Sequence, residues 1–336
     1  MEKSKKILEG TFIQPNLISD WKSEQFDQHF KEYRAIGFDH IILQWIEYKN
    51  LSASIRHTYY PSSLQGRKLE KDLLTNLLNY GQKNNIKIYI GLNINDEWWE
   101  IIDKSPTELN EWWNNEAAES IMLVNDIWNK YKQYAKLHGF NALAGWYIAF
   151  EADNFYFNTV EKQNILAKQY NVIVNNIHKI TNLPVMISPY FNRALGLIYG
   201  PKKWRSMWEN ILYQTDIDII ALQDGIGCDR EVICEDKNRE KAIKNVGKWF
   251  KATRDAIRKS KKKIELWSDL ETFVEERVDG KSRFEAASID RIICQIEAEL
   301  PLVDKFTSFS FQAYQDYDKA PRLFEDYKKY VDNVLD

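Results

Sequence analysis

Short apolar runs and longer amphipathic stretches alternate eight times along this chain, and that alternation restricts the fold more than any other feature. The apolar runs lie at 10–14 (GTFIQ), 38–45 (FDHIILQW), 86–93 (IKIYIGLN), 143–151 (LAGWYIAFE), 184–192 (PVMISPYFN), 217–224 (IDIIALQD), 264–271 (IELWSDLE) and 306–312 (FTSFSFQ). Helical patterns fill about 22–36, 69–84, 115–138, 160–180, 201–214, 239–260, 285–300 and 321–334. In the seventh of these, Ile289, Ile292, Ile293, Ile296 and Leu300 fall on one helical face. Alternating strands and helices imply parallel pairing through right-handed crossovers, and eight such units close a barrel. An open doubly wound sheet would call for a glycine-rich turn after its first strand, and none is present. The expectation is an α/β chain forming one (β/α)8 TIM barrel over residues 1–336, with 1–9 as a disordered N-terminal extension. No Pro/Gly/Ser tract or fixed-period repeat marks a linker.

Barrel active sites are built at the C-terminal ends of the strands, so the inward residue at each tip carries the functional reading. Side chains alternate along a strand, and choosing the face of one residue fixes the rest. In the fourth strand, an inward Glu151 places Ala149, Tyr147 and Gly145 inward, and sends Phe150, Ile148 and Trp146 towards the helices. The opposite register would bury a carboxylate between sheet and helix at high cost. The same argument turns Asn93, Gly91 and Tyr89 inward in the third strand, and Asn192, Tyr190 and Ser188 in the fifth. Asp224 faces in from the sixth, Glu271, Asp269 and Trp267 from the seventh, and Gln312, Ser310 and Ser308 from the eighth. Gln14 and Gln44 close the first two strands, with Trp45 beside Gln44 as an aromatic contact. Eight tips reading Gln, Gln, Asn, Glu, Asn, Asp, Glu and Gln describe a polar, hydrogen-bonding cleft rather than packing.

The ring is as informative for what it lacks. The histidines (His29, His40, His57, His138, His178) do not gather on strand tips, so no metal site is expected. Cys228, Cys234 and Cys294 have neither CxxC spacing nor a matching base. With no Walker loop and no GxSxG elbow, no cofactor is called for. A formal charge of −3 gives no reason to expect nucleic acid or an anionic membrane as partner. No run of 18 apolar residues and no apolar leader segment occurs, so a cytoplasmic protein is the expectation. What remains is carboxylates: Glu151, Asp224, Asp269 and Glu271. Glu151 and Glu271, on strands four and seven, face each other across the mouth, as two carboxylates flanking a glycosidic bond must. One would stay protonated near neutral pH while the other is ionised.

The chain carries 12 Trp, 18 Tyr and 16 Phe, side chains that suit cores and also stack on sugar rings. Four of the tryptophans lie in 94–114, a long connection that starts at the cleft rim. Trp98 or Trp99 is expected to line the mouth as a sugar platform, with Trp112 and Trp113 packing the connection down.

Segments GTFIQP (10–15), IILQW (41–45), GWYIAFEAD (145–153), LQDGIG (222–227), LWSDLETF (266–273) and 290–311 span nearly the whole chain. In these the sequence resembles a bacterial family catalogued as domain of unknown function 4434 and described as barrel glycosyl hydrolases, within the retaining (β/α)8 glycoside hydrolases. The resemblance implies a carbohydrate substrate, Glu151 as acid/base and Glu271 as nucleophile. It also marks a departure: that superfamily usually has Asn immediately before the acid/base, contacting the sugar 2-hydroxyl, where this chain has Phe150. Either another tip, such as Asn93 or Asn192, makes that contact, or the catalytic arrangement differs. Two readings follow: a glycosidase acting on an oligo- or polysaccharide, or a non-catalytic carbohydrate-binding protein on a degenerate glycosidase barrel.

Overall fold

The structure, a computed structural model, describes residues 6–51, 54–136, 139–192, 199–228, 239–279 and 281–335. Its eight core strands are β1 (Gly10–Ile13), β2 (His40–Leu43), β3 (Lys87–Gly91), β4 (Leu143–Ile148), β5 (Val185–Ile187), β6 (Ile219–Gln223), β7 (Glu265–Glu271) and β8 (Lys305–Phe309). All pair in parallel and close in the order β1-β8-β7-β6-β5-β4-β3-β2. The surrounding helices are α1 (Ser23–Ala35), α2 (Leu74–Asn84), α3 (Pro106–Tyr131), α4 (Val160–Ile180), α5 (Pro201–Gln214), α6 (Arg239–Ser260), α7 (Ile289–Glu299) and α8 (Pro321–Leu335). Each core strand and helix falls on the segment whose periodicity predicts it. The chain is a (β/α)8 TIM barrel.

Two layers of apolar packing hold it. Phe12, Ile42, Tyr89, Tyr147, Ala149 and Trp267 fill the barrel's interior. Their strand neighbours, such as Ile41, Ile90, Ile148 and Leu266, pack outward against the helices. The N-terminal expectation needs correction. Residues 1–5 lie outside the described residues, but Ile7 and Leu8 are buried, and the Leu8 N–H donates to the Tyr327 hydroxyl at 2.6 Å. This segment seals the barrel floor against α8, so its apolar pair is core.

Two insertions escape the alternation. A four-stranded sheet of 67–69, 56–58, 47–49 and 93–95 stands above β2 and β3, and a hairpin pairs Phe273–Val278 with Lys281–Ala286. The connection after β3 is shorter than its sequence implies, because α3 begins at Pro106. Ser105 and Glu108 cap it reciprocally, the Glu108 N–H donating to Ser105 Oγ and the Ser105 N–H to Glu108 Oε2.

Buried charge ties the four-stranded sheet to α3. Glu47, fully buried, accepts from Arg56 at 3.3 Å and Arg67 at 3.0 Å. Arg56 continues to Glu116 on α3 at 2.6 Å, and Arg67 to Glu119. Glu47→Ala leaves two largely buried guanidinium groups with fewer partners and should destabilise the fold by about 3 kcal/mol. Urea denaturation of the variant checks this; an unchanged midpoint would show that the network adds no stability.

Candidate active site

One cavity opens at the C-terminal end of the barrel, lined by Phe12, Gln44, Tyr147, Glu151, Gln223, Asp269, Glu271, Phe273 and Phe309. The space it leaves for water-sized molecules is about 80 Å³, and about 390 Å³ when the open mouth is counted. Glu151 follows β4 and Glu271 ends β7, so the alternation that turns Tyr147 and Trp267 into the barrel also delivers these two carboxyls to one space.

Their surroundings differ. Glu151 hydrogen-bonds the Gln223 side chain, and burial raises its pKa to about 7 with help from the Asp153 charge. Glu271 Oε2 accepts N–H groups from Gly227 at 2.5 Å and Cys228 at 3.2 Å. Burial and the nearby Asp224 carboxylate push Glu271 up to about 8, opposed by those two N–H groups and by Arg291. Gly227 permits this grip, since a Cβ there would lie 2.7 Å from Glu271 Oε2. Asp269, on the same face of β7, accepts from Ser188 Oγ at 3.0 Å, and burial raises its pKa well above the usual carboxylate range. Its Oδ1 and the Oε1 of Gln44 have no hydrogen-bond partner among the described residues.

Of the residues singled out in the sequence, Glu151, Asp269, Glu271 and Gln44 line the cavity. Gln14 and Trp45 are partly buried and do not line it. Tyr190, also partly buried, hydrogen-bonds Asp153 beside Glu151. Asn192 is exposed, its N–H donating to the Asn154 side chain at 2.7 Å. His138 and Cys234 lie outside the described residues.

Five expectations are corrected. Asn93 turns away from the cleft because the chain leaves the barrel after Gly91; its amide donates to Glu116 on α3 at 2.7 Å. Trp98 is buried beneath the rim against Trp113, Phe150 and Phe157, whereas its neighbour Trp99 is 49% exposed. Trp267 fills the barrel interior between His40 and Tyr89, far enough down for its N–H to reach Glu265 at 2.8 Å. Gln312 lies past β8 in a helical turn and donates to the buried Tyr33 hydroxyl. Asp224 faces α7 instead of the cavity, accepting from Gln295 at 2.5 Å. The burial cost that argues against such an outward carboxylate is offset by this bond and by the N–H groups of Ile226 and Glu271.

The inward residues of β6 and β8 are therefore Gln223 and Phe309, both missed in the sequence. The composition of the sixth run held a usable signal. Its bulky Ile220 and Leu222 seek the helix layer while Ala221 fits inside, which turns Gln223 inward. Phe150 is also explained: it packs outward with Trp112 and Trp113, so no side chain there reaches the cavity. Among the described residues, His29, Glu32 and Asp316 bring ligand-type atoms within 4.8 Å of one another. None of them lines the cavity, and His29 is engaged with Glu32 at 2.9 Å.

A closed parallel barrel with acidic and amide groups at its C-terminal rim has the fold of the glycoside hydrolases. Solved structures similar to this chain include a candidate alpha-L-fucosidase from Bacteroides thetaiotaomicron, at 20% identity and TM-score 0.71, covering 99% of this chain and 98% of that one. An endo-1,4-beta-mannanase from Rhizomucor miehei matches at 12% identity and TM-score 0.57, and a family 1 beta-glucosidase from Thermotoga maritima at 10% and 0.54. Each of the two covers 99% of both chains. No curated protein matches the sequence. Residues 8–322 match the model of the family described as domain of unknown function (DUF4434), and the chain belongs to that family. Among the described residues, no helix is long and apolar enough to cross a membrane.

The raised pKa of Glu151 has a measurable consequence for stability. Between about pH 4.5 and 7 the unfolded chain has lost this proton and the native state has kept it, so stability falls as pH rises. The loss from this group should reach about 3 kcal/mol by pH 8. Glu151→Gln removes the titration, so its stability relative to wild type should climb by that amount from pH 4 to pH 8. Denaturant midpoints at the two pH values test this, and parallel curves would refute it.

Proposed function

We propose that the protein is a retaining glycoside hydrolase, with Glu151 as acid/base and Glu271 as nucleophile. The observation that carries this is the convergence of the two carboxyls, from β4 and β7, on one cavity in surroundings that treat them differently. Glu151 keeps its proton near neutral pH and has no cation among the causes of its shift, as suits a group that donates to a leaving oxygen. Glu271 is raised further than Glu151, to about 8, so its carboxylate form must be drawn out by the two N–H donors, by Arg291 and by the positive charge that develops on the sugar ring. A Glu271 oxygen attacks the anomeric carbon while the glycosidic C–O bond breaks, its electrons going to the leaving oxygen, which takes the proton of Glu151. Glu151 then removes a proton from water, whose oxygen attacks the same carbon and expels the Glu271 carboxylate.

The solved neighbours named as a fucosidase, a mannanase and a glucosidase support a carbohydrate substrate. Gln44 and Asp269 line the cavity and each carries a buried side-chain oxygen, Oε1 and Oδ1, with no partner among the described residues; both side chains are suited to sugar hydroxyls, and Phe12, Phe273 and Phe309 to the apolar faces of the ring. Gln223 is placed to make the polar contact that Phe150 cannot. A non-catalytic sugar-binding protein would use the same wall, and turnover separates the two.

Against a panel of aryl glycosides, Glu271→Gln should lose nearly all hydrolysis while remaining folded. Glu151→Gln should slow glycosides with poor leaving groups about 10²–10⁴-fold and those with good ones far less. Equal losses across leaving groups would remove Glu151 from the acid role. A wild-type protein that binds sugars in calorimetry yet cleaves none would establish the binding reading. Trp99 is the remaining candidate platform: Trp99→Ala should weaken oligosaccharide binding by about 1 kcal/mol with little change in melting temperature. Unchanged affinity would dismiss it.

A further inference from the structure

Behind Glu271, away from the cavity, lies a second set of buried acids that the proposed reaction does not use. Asp224, Gln295 and Glu299 have no exposed surface at all. Asp224 Oδ1 accepts the N–H groups of Ile226 at 3.1 Å and Glu271 at 3.3 Å, and its Oδ2 accepts the Gln295 amide at 2.5 Å. That amide also donates to the Glu271 carbonyl at 3.1 Å, and Arg291 donates to the same carbonyl at 3.2 Å. Glu299, at the end of α7, accepts the Ser268 hydroxyl, and burial together with the neighbouring Asp224 carboxyl raises its pKa well above the usual carboxylate range.

Two neighbouring carboxyls shielded from water resist being ionised together. Three N–H donors converge on Asp224, which favours its anion, whereas Glu299 receives a single hydroxyl. The proton therefore belongs on Glu299, donated towards Asp224. The Asp224 anion in turn fixes the turn at 224–228, whose next N–H groups, from Gly227 and Cys228, hold the Glu271 carboxylate.

We propose that Asp224, Gln295 and Glu299 form a buried positioning unit, in which one proton shared by Glu299 and Asp224 keeps Asp224 charged and thereby fixes both the geometry and the charge of Glu271. None of the three lines the cavity, so they are positioning residues. The inference rests on reading Glu271 as the working carboxylate. The groups that bear on its titration are Asp224 and Cys228 from β6 and its loop, and Asp269 beside it on β7. Glu275 in the hairpin, Arg291 on α7, Tyr314 after β8 and Glu151 in the shared cavity complete the set. Of these, Asp224 and Arg291 are the charges tied to the Glu271 backbone, Asp224 at its N–H and Arg291 at its carbonyl.

Carbon-13 carboxyl NMR on the full-length protein tests the unit without any substrate. At pH 7 the wild-type spectrum should show Glu299 protonated, with a solvent-deuterium isotope shift, and Asp224 ionised. Asp224→Asn should lower the titration midpoint of Glu271 by about one pH unit or more, since a like charge has gone. Glu299→Gln, whose amide can donate in place of the carboxyl, should leave that midpoint nearly unmoved. In any glycosidase assay the acid limb of kcat/KM should follow the Glu271 midpoint. Spectra showing both acids ionised at pH 7, or a folded Asp224→Asn with the wild-type Glu271 midpoint, would overturn the proposal. Should Asp224→Asn not fold, the wild-type spectrum decides alone. A protein that shows the shared proton but cleaves no glycoside would keep this inference and fail the hydrolase reading.

Discussion

Closing eight parallel strands into a barrel puts every strand's C-terminal end on one rim, and the rest of this molecule depends on that constraint. A side chain two residues beyond an inward core position cannot avoid the rim, whatever its chemistry. Tyr147 and Ala149 fill the interior, so Glu151 must rise at the mouth; Trp267 fills it from β7, so Asp269 and Glu271 must follow. Acidic groups that would repel one another in an open chain are thus gathered by apolar packing beneath them. The hydrophobic layer supplies the free energy, and the carboxyls take up the strain as raised proton affinities.

The protein handles its buried charge in two distinct ways. Around Glu47 the solution is pairing: arginines from the inserted strands meet acids on α3, and every charge has an opposite. Even there burial raises the proton affinity of Glu47, and the two arginines oppose it. Around Glu271 the cation that bears on it among the described residues is Arg291, and the hydrogen-bond partners of the acids there are backbone N–H groups, an amide and a hydroxyl. Dipoles leave those acids poised near neutrality, which is what proton transfer needs.

The parts legible in the sequence are those governed by periodicity. The eight strands, the eight helices and the inward faces of β2, β3, β4 and β7 follow from runs in which large aliphatic residues alternate with small or polar ones. The reading failed where the outward layer is itself polar. Asp224 and Ser308 occupy helix-facing positions because partners from distant segments satisfy them, Gln295 on α7 and the Gly10 carbonyl. No local pattern announces a partner 71 residues away. Asn93 shows a different limit, since a strand that leaves one sheet and joins another reverses the meaning of its next side chain. The inserted strands at 47–49, 56–58 and 67–69 are three residues each, too short for any period to register.

Asp224 illustrates why a misread residue can still matter to the site. The argument that excluded it from the helix-facing layer is sound for an isolated carboxylate, since an unpaired buried charge is strongly destabilising. Its being there means that the fold has spent three donors and a second acid on keeping it. Hydrophobic residues of similar volume would pack that space without any such requirement. What they could not do is hold the 224–228 turn by its N–H groups while placing a negative charge within reach of Glu271. The fold tolerates buried acid in that position, and its charge adds to burial in raising the proton affinity of Glu271, so the helix-facing layer contributes to the electrostatics of the cavity in front of it.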